Sequence, residues 1–413
     1  MSVKSKATNE VQWQDVHSGR YLAMAQKIYT GIDIGTHQIK VVIAAAPEGP
    51  ESPMQILATA SASSRGMRNG YIVDTKEVIP AIRSAVERAS HAARVPVKSA
   101  RLGLGGASLE EVRAIAEISL THSGGVVTQK DITRVIDESE KRAASRLTNR
   151  SIIHVIPLEF KIDGVAISGR PTGMQGSRLS VDTMLLTMLA QHHDDMIEAV
   201  EAAGVEVEGV MASPLAASLV TLTKAQKTAG VLLANVGAET TSVVVFDDDK
   251  PISLKVFPLG SNAITNAIAL SFQLPLPEAE QLKRGAVIGS TISQKKLTQV
   301  INVRLKELFG LVNTHLKNIG RDRLLPAGIV LTGGGAGLAA MTTVAKLTLK
   351  LPAQIGLPLM MPRVSALDAT WAVAFGLCRW GYAEDMLGNT HPIGDVVSRM
   401  IDSVKHLFRS LLP

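Results

Sequence analysis

Aromatic residues make up only 3% of this 413-residue chain, so Val, Ile, Leu and Ala must fill its core. The same scarcity leaves few rings on which nucleic-acid bases could stack. The formal charge of +6 is modest, no zinc-like Cys/His spacing occurs, and nucleic acid is therefore not an expected partner. The single cysteine, Cys378, excludes an internal disulfide and fits a reducing compartment. It is expected to be a small buried apolar residue. No apolar run approaches the ~20 residues of a membrane span, and the N-terminus lacks a signal-peptide core. Residues 1–27 are polar, with Trp13 alone among them, and read as a loose tail.

What is present is a folded composition, 46% hydrophobic and 19% charged, in a chain too long for one simple core. Two stretches share a pattern. YTGIDIGTHQIKVVIAA, residues 29–45, lies without gaps on LLANVGAETTSVVVF, residues 232–246, when Asp33 is set on Asn235, Gly35 on Gly237 and Val41 on Val243. Both predict strand, tight turn, strand. An ungapped match at long spacing suggests one copy per lobe; chance likeness of two hairpins is the alternative.

If the repeat is real, two turns face each other and clamp phosphates, because such turns aim backbone N–H groups at an anion. In the first copy Asp33 is the candidate metal carboxylate, through water. Gly35 admits a phosphate to the backbone, and Thr36 adds a hydroxyl. Lys40 either offsets phosphate charge or is a surface lysine. In the second copy Asn235 and Gly237 take the equivalent places, Thr240 is the candidate hydroxyl, and Glu239 puts a negative charge in the turn. An inward Glu239 would repel a phosphate at 4 Å by about 1 kcal/mol even in bulk water; an outward one, or one that coordinates a water of the metal, is the alternative.

AGIVLTGGGAGL, residues 327–338, predicts a buried strand ending in Gly333, Gly334 and Gly335, then a helix start. Those glycines would let the backbone approach a base or ribose, or form a plain loop. In PEAEQLKRGA, residues 277–286, Glu280 and Lys283 share a helix face. They would grip ribose hydroxyls, or pair at the surface. HHDD, residues 192–195, offers no metal site, because adjacent side chains point around a helix.

These elements, in this order, resemble the actin/Hsp70/sugar-kinase superfamily, and within it the chain is similar to the FtsA family of bacterial cell division proteins over roughly residues 28–412. RGMRNGYIVDTKEVIPAIRSAVERA, SGGVVTQKDITRVIDESEK, VIPLEFKIDGVAISGRPTGMQGSRLSV and FPLGSNAITNAIALSFQLPLPEAEQLKRGA carry the likeness. The second and third resemble the inserted subdomain that separates FtsA from its superfamily. The resemblance implies an α/β, actin-like two-lobed ATPase fold with an FtsA-type 1C insertion and a C-terminal amphipathic helix. It implies subdomain 1A over 28–107, 183–228 and 361–383, with 1C over 108–182. Subdomain 2A is implied over 229–262 and 326–360, and 2B over 263–325. It further implies ATP and Mg²⁺ as ligands, self-polymerisation, and the FtsZ C-terminal tail as a partner. Other division proteins would join at the division site, on the cytoplasmic face of the cell membrane. The departures at Asn235 and Glu239, Ala267 in place of a family Asp, and no identifiable catalytic glutamine near residues 213–219 imply weak or absent ATP hydrolysis. A pilus-assembly relative, or a kinase or chaperone ATPase of the superfamily, is the alternative.

The C-terminal stretch can be analysed alone. Placed on a helix, residues 396–412 put Val397, Met400, Ile401, Val404, Leu407, Phe408 and Leu411 in one arc of about 160°. Arg399, Lys405 and Arg409 fall outside that arc. A basic polar face opposite a Phe/Leu face suits the plane of an anionic membrane surface; docking on the core or in a partner's groove are the alternatives. Residues 384–395, polar and carrying Gly388, Gly394 and Pro392, predict a flexible linker. Helical spacing continues through 295–323, where Arg304, Lys306, Lys317, Arg321 and Arg323 are candidates to receive the acidic partner tail, or are an ordinary solvated face.

Overall fold

The computed structural model describes residues 27–47, 52–121, 123–286, 293–358 and 368–386. Residues 396–413, and with them the amphipathic-helix reading, lie outside the described residues, as do 1–26 and 387–395.

Lobe I opens with β1 (Ile28–Ile34), β2 (Gln38–Ala45) and β3 (Gln55–Ser63), an antiparallel meander whose first two strands are buried in continuous runs. The short hairpin β4 (Met67–Arg68) and β5 (Tyr71–Ile72) leads to α1 (Thr75–Ala93). Asp74 caps α1 by accepting the Lys76 N–H, which satisfies one of the helix's orphan donors. Next comes β6 (Ser99–Leu104).

The chain then leaves for an inserted subdomain of β7 (Glu110–Ser119), α2 (Gln129–Ala143), β8 (Arg150–Ile162), β9 (Val165–Ile167) and β10 (Arg178–Leu189). Its sheet runs β7-β10-β8-β9, and α2, started by a Thr128/Asp131 capping box, covers one face. Strand β10 continues to Leu189, so the boundary expected at 182 falls inside a strand.

Lobe I resumes with α3 (Ala190–Ala202), β11 (Glu206–Ala212), α4 (Ser213–Thr221) and α5 (Lys224–Ala229). Lobe II follows with β12 (Val231–Val236), β13 (Thr241–Asp247) and β14 (Lys250–Phe257). Three helices come next, α6 (Ser261–Phe272), α7 (Leu276–Lys283) and α8 (Gln294–Asn318). The lobe closes with β15 (Ile329–Thr332), α9 (Met341–Leu349) and β16 (Ala353–Ile355). Helix α10 (Ala372–Met386) returns to lobe I.

The two lobes share one topology. Sheet order is β3-β2-β1-β6-β11 in lobe I and β14-β13-β12-β15-β16 in lobe II. In each, a meander is extended by two parallel strands. Each hairpin turn closes on the same hydrogen bond, Gly35 N–H to Gln38 O at 3.1 Å and Gly237 N–H to Thr240 O at 2.8 Å. Apolar side chains on both faces of both sheets build the cores. Helix α4 lies among residues of both sheets in one cluster, and α6, α8 and α9 bury the other face of lobe II.

Helix α10 replaces part of the expected linker. Glu384 accepts from Arg101 at 3.2 Å, and Asp385 pairs with Lys27 at 2.7 Å. The linker expected from 384 therefore begins no earlier than 387, and Lys27 belongs to the body and not to a tail. Arg101 is buried, pairs also with Glu208 at 2.9 Å and packs on the Trp380 ring; without Glu384 it would lose one of two compensating charges. Cys378 is buried, and its thiol donates to the Tyr29 and Val42 carbonyls while burial pushes it up to about 12. It is a packing residue.

Candidate functional site

A cleft of about 920 Å³ lies between the lobes. The β1–β2 and β12–β13 turns line it from opposite sides, each placed by its own sheet. Every sequence candidate for ligand binding lines it: Asp33, Gly35, Thr36, Lys40, Asn235, Gly237, Thr240, Glu280, Lys283, Gly333, Gly334 and Gly335.

Asp33 and Lys40 are partners in the β1–β2 ladder. Burial pushes the Asp33 carboxyl up, and Lys40 pulls it back. A carboxylate so placed gains from a cation. Lys40 is half-buried in the cleft wall, which separates it from an ordinary surface lysine. On the other side Asn235 packs against Gly333, whose φ of 84° favours glycine. A Cβ at Gly333 would overlap the Asn235 Oδ1 and stand 2.7 Å from the Val236 carbonyl oxygen. The three glycines open a short 3-10 turn, Gly334–Gly337, and the next α-helix begins only at Met341. The helix start expected at the glycines is thus displaced.

Glu280 and Lys283 sit in the wall and not on the outer surface. Lys283 Nζ lies 2.6 Å from Glu280, and its side chain is 6% exposed. Thr265 donates to Glu280 at 2.6 Å and accepts from Lys283 at 2.8 Å, while Arg284 donates to the other carboxylate oxygen at 2.8 Å. Burial alone would raise the Glu280 carboxyl; the donors from Lys283, Thr265 and Arg284 outweigh it and hold it at about 2, against an ordinary 4.5. A depressed carboxylate stabilises the fold above its unfolded pKa, and that contribution disappears as pH falls toward about 2. Glu280→Gln is therefore expected to lower the unfolding free energy read from urea titrations at pH 7 by about 1 kcal/mol, since the group is partly exposed. The gap to the parent protein closes in titrations taken stepwise toward pH 2. An equal gap at both ends of the range would refute the assignment.

Glu239 does not line the cleft. Its Oε2 accepts the Asn69 N–H at 2.6 Å, across the lobes. The repulsion of phosphate expected of an inward Glu239 is therefore absent from this geometry. Ser213, Asn262, Asn266, Gly105, Gly106 and Thr370 also line the cleft and were missed in the sequence. The Gly105–Gly106 pair directly after β6 was the available signal, since paired glycines after a buried strand mark a close approach. Ser213, Asn262 and Thr370 sit at helix starts and Asn266 within α6, where only packing decides which side chains face the cleft. His192 and His193 do not converge on a metal: His192 stacks on Tyr71 and meets Ser108, while His193 bonds its neighbour Asp194.

The five basic partner candidates do not form one surface. At about 100° per residue, Lys306 and Lys317 share the exposed face of α8, and Arg304 lies on its far side, bonded to Glu307. The helix ends at Asn318, so Arg321 and Arg323 lie beyond it. Arg321 is bound to Asp247 of β13 at 2.8 Å.

A family model described as the SHS2 domain inserted in FtsA matches residues 106–187, and one for cell division protein FtsA matches residues 232–376. The cell division protein FtsA of Borreliella burgdorferi is 26% identical over 400 residues, covering 91% of this chain and 96% of that one. That of Bacillus subtilis is 28% identical over 353 residues, covering 80% and 79%. That of Escherichia coli K12 is 26% identical over 415 residues, covering 93% and 97%. Among solved structures, a chain of a PilM–PilN type IV pilus biogenesis complex superposes with a TM-score of 0.64 at 20% identity, over 86% of this chain and 98% of that one. MreB 5 of Spiroplasma citri bound to AMPPNP gives 0.51 at 12% identity, over 88% and 98%. These two structures share the actin-like fold of this chain.

Proposed function

This chain belongs to the FtsA family of cell division proteins, and from that premise we propose that it is a nucleotide-responsive membrane adaptor. It binds ATP between its lobes, polymerises, and ties FtsZ filaments to the cytoplasmic face of the inner membrane at the division site, where further division proteins join. The observation that carries the nucleotide part is the meeting of both hairpin turns, the Gly333–Gly335 turn and the Glu280–Lys283 pair in one cleft. The fit is physical: the half-buried Asp33 carboxylate, pushed up by desolvation, gains from a cation, and the Gly333 turn leaves backbone bare where a side chain would not fit. Asp33 and Asn235 would face a Mg²⁺ through its waters, and Lys40 would offset phosphate charge. Bound Mg²⁺ would supply neutralisation of phosphate charge. Asn235 brings no charge of its own, so hydrolysis is slow or absent, and nucleotide serves to stiffen the lobes.

The terminal helix supplies the membrane contact, strengthened by avidity along a polymer. The exposed Lys306–Lys317 face of α8, with Val303 at its edge one turn before Lys306 and 56% exposed, receives the acidic FtsZ tail. Electron microscopy on anionic lipid monolayers with ATP tests the whole reading. Filaments should form and take up tail peptide. Lys306→Glu with Lys317→Glu should abolish peptide capture and leave the filaments. Capture that survives both changes moves the docking surface elsewhere, and a bare monolayer sinks the adaptor.

A further inference from the structure

The Glu239 carboxylate joins two turns that are each fixed independently. Asn69 and Gly70 form the two-residue loop between β4 and β5, where Arg68 pairs with Tyr71. Both have positive φ, 51° and 79°, the conformation of a type I′ hairpin, which Asn-Gly favours. In such a loop the N–H of the first residue has no partner in its own ladder. This tip is clamped to lobe I. Ala107 N–H donates to the Asn69 carbonyl at 3.1 Å, and a Cβ at Gly70 would overlap Gly106. The Glu239 turn is clamped to lobe II in turn. Its Gly237 and Ala238 carbonyls accept from Ser261 and Asn262 at the start of α6, at 2.9 and 2.8 Å. Each turn's backbone is thus fixed to its own lobe, so the 2.6 Å bond spans from one lobe to the other. It is charge-assisted, the stronger class of hydrogen bond.

We infer that Glu239 is a built-in latch that holds the lobes closed before any nucleotide enters. In a two-lobed clamp the bridging anion is ordinarily the phosphate of the ligand. Here the chain carries an anion of its own, one residue before Thr240 of the phosphate turn, and spends it on a backbone donor of the opposite lobe. Closure then no longer depends on ligand phosphate, and a nucleotide entering the cleft meets a preassembled site. The inference deepens the nucleotide reading above for its role, but the latch itself stands on the two clamped turns and the bond between them.

The test is a distance between the lobes. Glu87 on α1 and Lys346 on α9 are exposed, one on each lobe, and Cys378 is buried. Glu87→Cys with Lys346→Cys thus takes two spin labels on the full chain. Without nucleotide, the labelled protein should give one narrow distance distribution. Glu239→Ala should shift it to longer, broader distances, with the closed-to-open ratio falling at least tenfold, about 1.4 kcal/mol. Glu239→Gln keeps an acceptor oxygen and should stay narrow, which separates the hydrogen bond from the charge. Circular dichroism melts confirm that each variant is folded. A Glu239→Ala distribution equal to that of the parent, or a parent already broad, overturns the latch. ATP with Mg²⁺ added to Glu239→Ala should restore the narrow distribution. If it stays open, the nucleotide reading fails while the latch stands.

Discussion

A chain ending at Met386 is expected to remain in the supernatant when anionic vesicles are sedimented, while the full chain pellets with them. The effect should exceed tenfold in the bound fraction, because the removed segment is the one that the proposed function lays on the lipid surface. Placed on a helix, its sequence would put Val397, Met400, Ile401, Val404, Leu407, Phe408 and Leu411 on one apolar face. A fully buried side chain of this kind contributes about 1.5–3 kcal/mol; burial in the interface is partial and helix formation costs entropy, so one copy binds moderately. Arg399, Lys405 and Arg409 add attraction that salt screens, so binding of the full chain should weaken as salt rises. The place of the cut matters. Glu384 and Asp385 bind Arg101 and Lys27, and ending the chain before them would unsettle the body and confuse the result. The chain ending at Met386 keeps both pairs and should melt like the parent. Retained pelleting by that shortened, folded chain would end the membrane assignment.

Gly376→Ala is expected to lose about 2–3 kcal/mol of stability, against the sign of helix propensity. Propensity alone favours alanine over glycine in a helix interior by about 1 kcal/mol. Packing decides otherwise. Gly376 is where α10 crosses α4, and an added Cβ would overlap the Ala216 carbonyl oxygen. The atom in the way is backbone inside a buried helix, so no side chain can rotate to make room. Gly31 is a second such point, where a Cβ would overlap the Ala374 carbonyl. Thermal unfolding of Gly376→Ala should show a lower midpoint. A midpoint equal to or above that of the parent would mean α10 is not held this closely.

Several features were legible because they are local. Strand–turn–strand follows from β-branched runs flanking a glycine, and the turn bond from Gly35 to Gln38 repeats from Gly237 to Thr240. Of the four stretches that carried the family likeness, three lie inside the insert and lobe II, the regions matched at 106–187 and 232–376, and one lies in lobe I before them. Boundaries were less legible: β10 runs past 182 to Leu189 and α10 runs past 384 to Met386. Each continuation is fixed by partners distant in sequence, β7 and β8 in one case and Arg101 and Lys27 in the other.

The basic run through 295–323 shows the same limit. Charge and period placed it on a helix, but Arg321 is committed to Asp247, a residue on another strand. Only Lys306 and Lys317 share the outward face.

The sequence by itself determined that two glycine turns of one design exist, that each ends a strand, and that the second carries a glutamate. Backbone geometry of a tight turn is set within a few residues, so composition suffices. Where that glutamate points was decided only by tertiary structure. Its acceptor oxygen meets a donor 170 positions away, on a turn brought there by the packing of the opposite lobe. The direction of a side chain at a cleft is set by what stands across it.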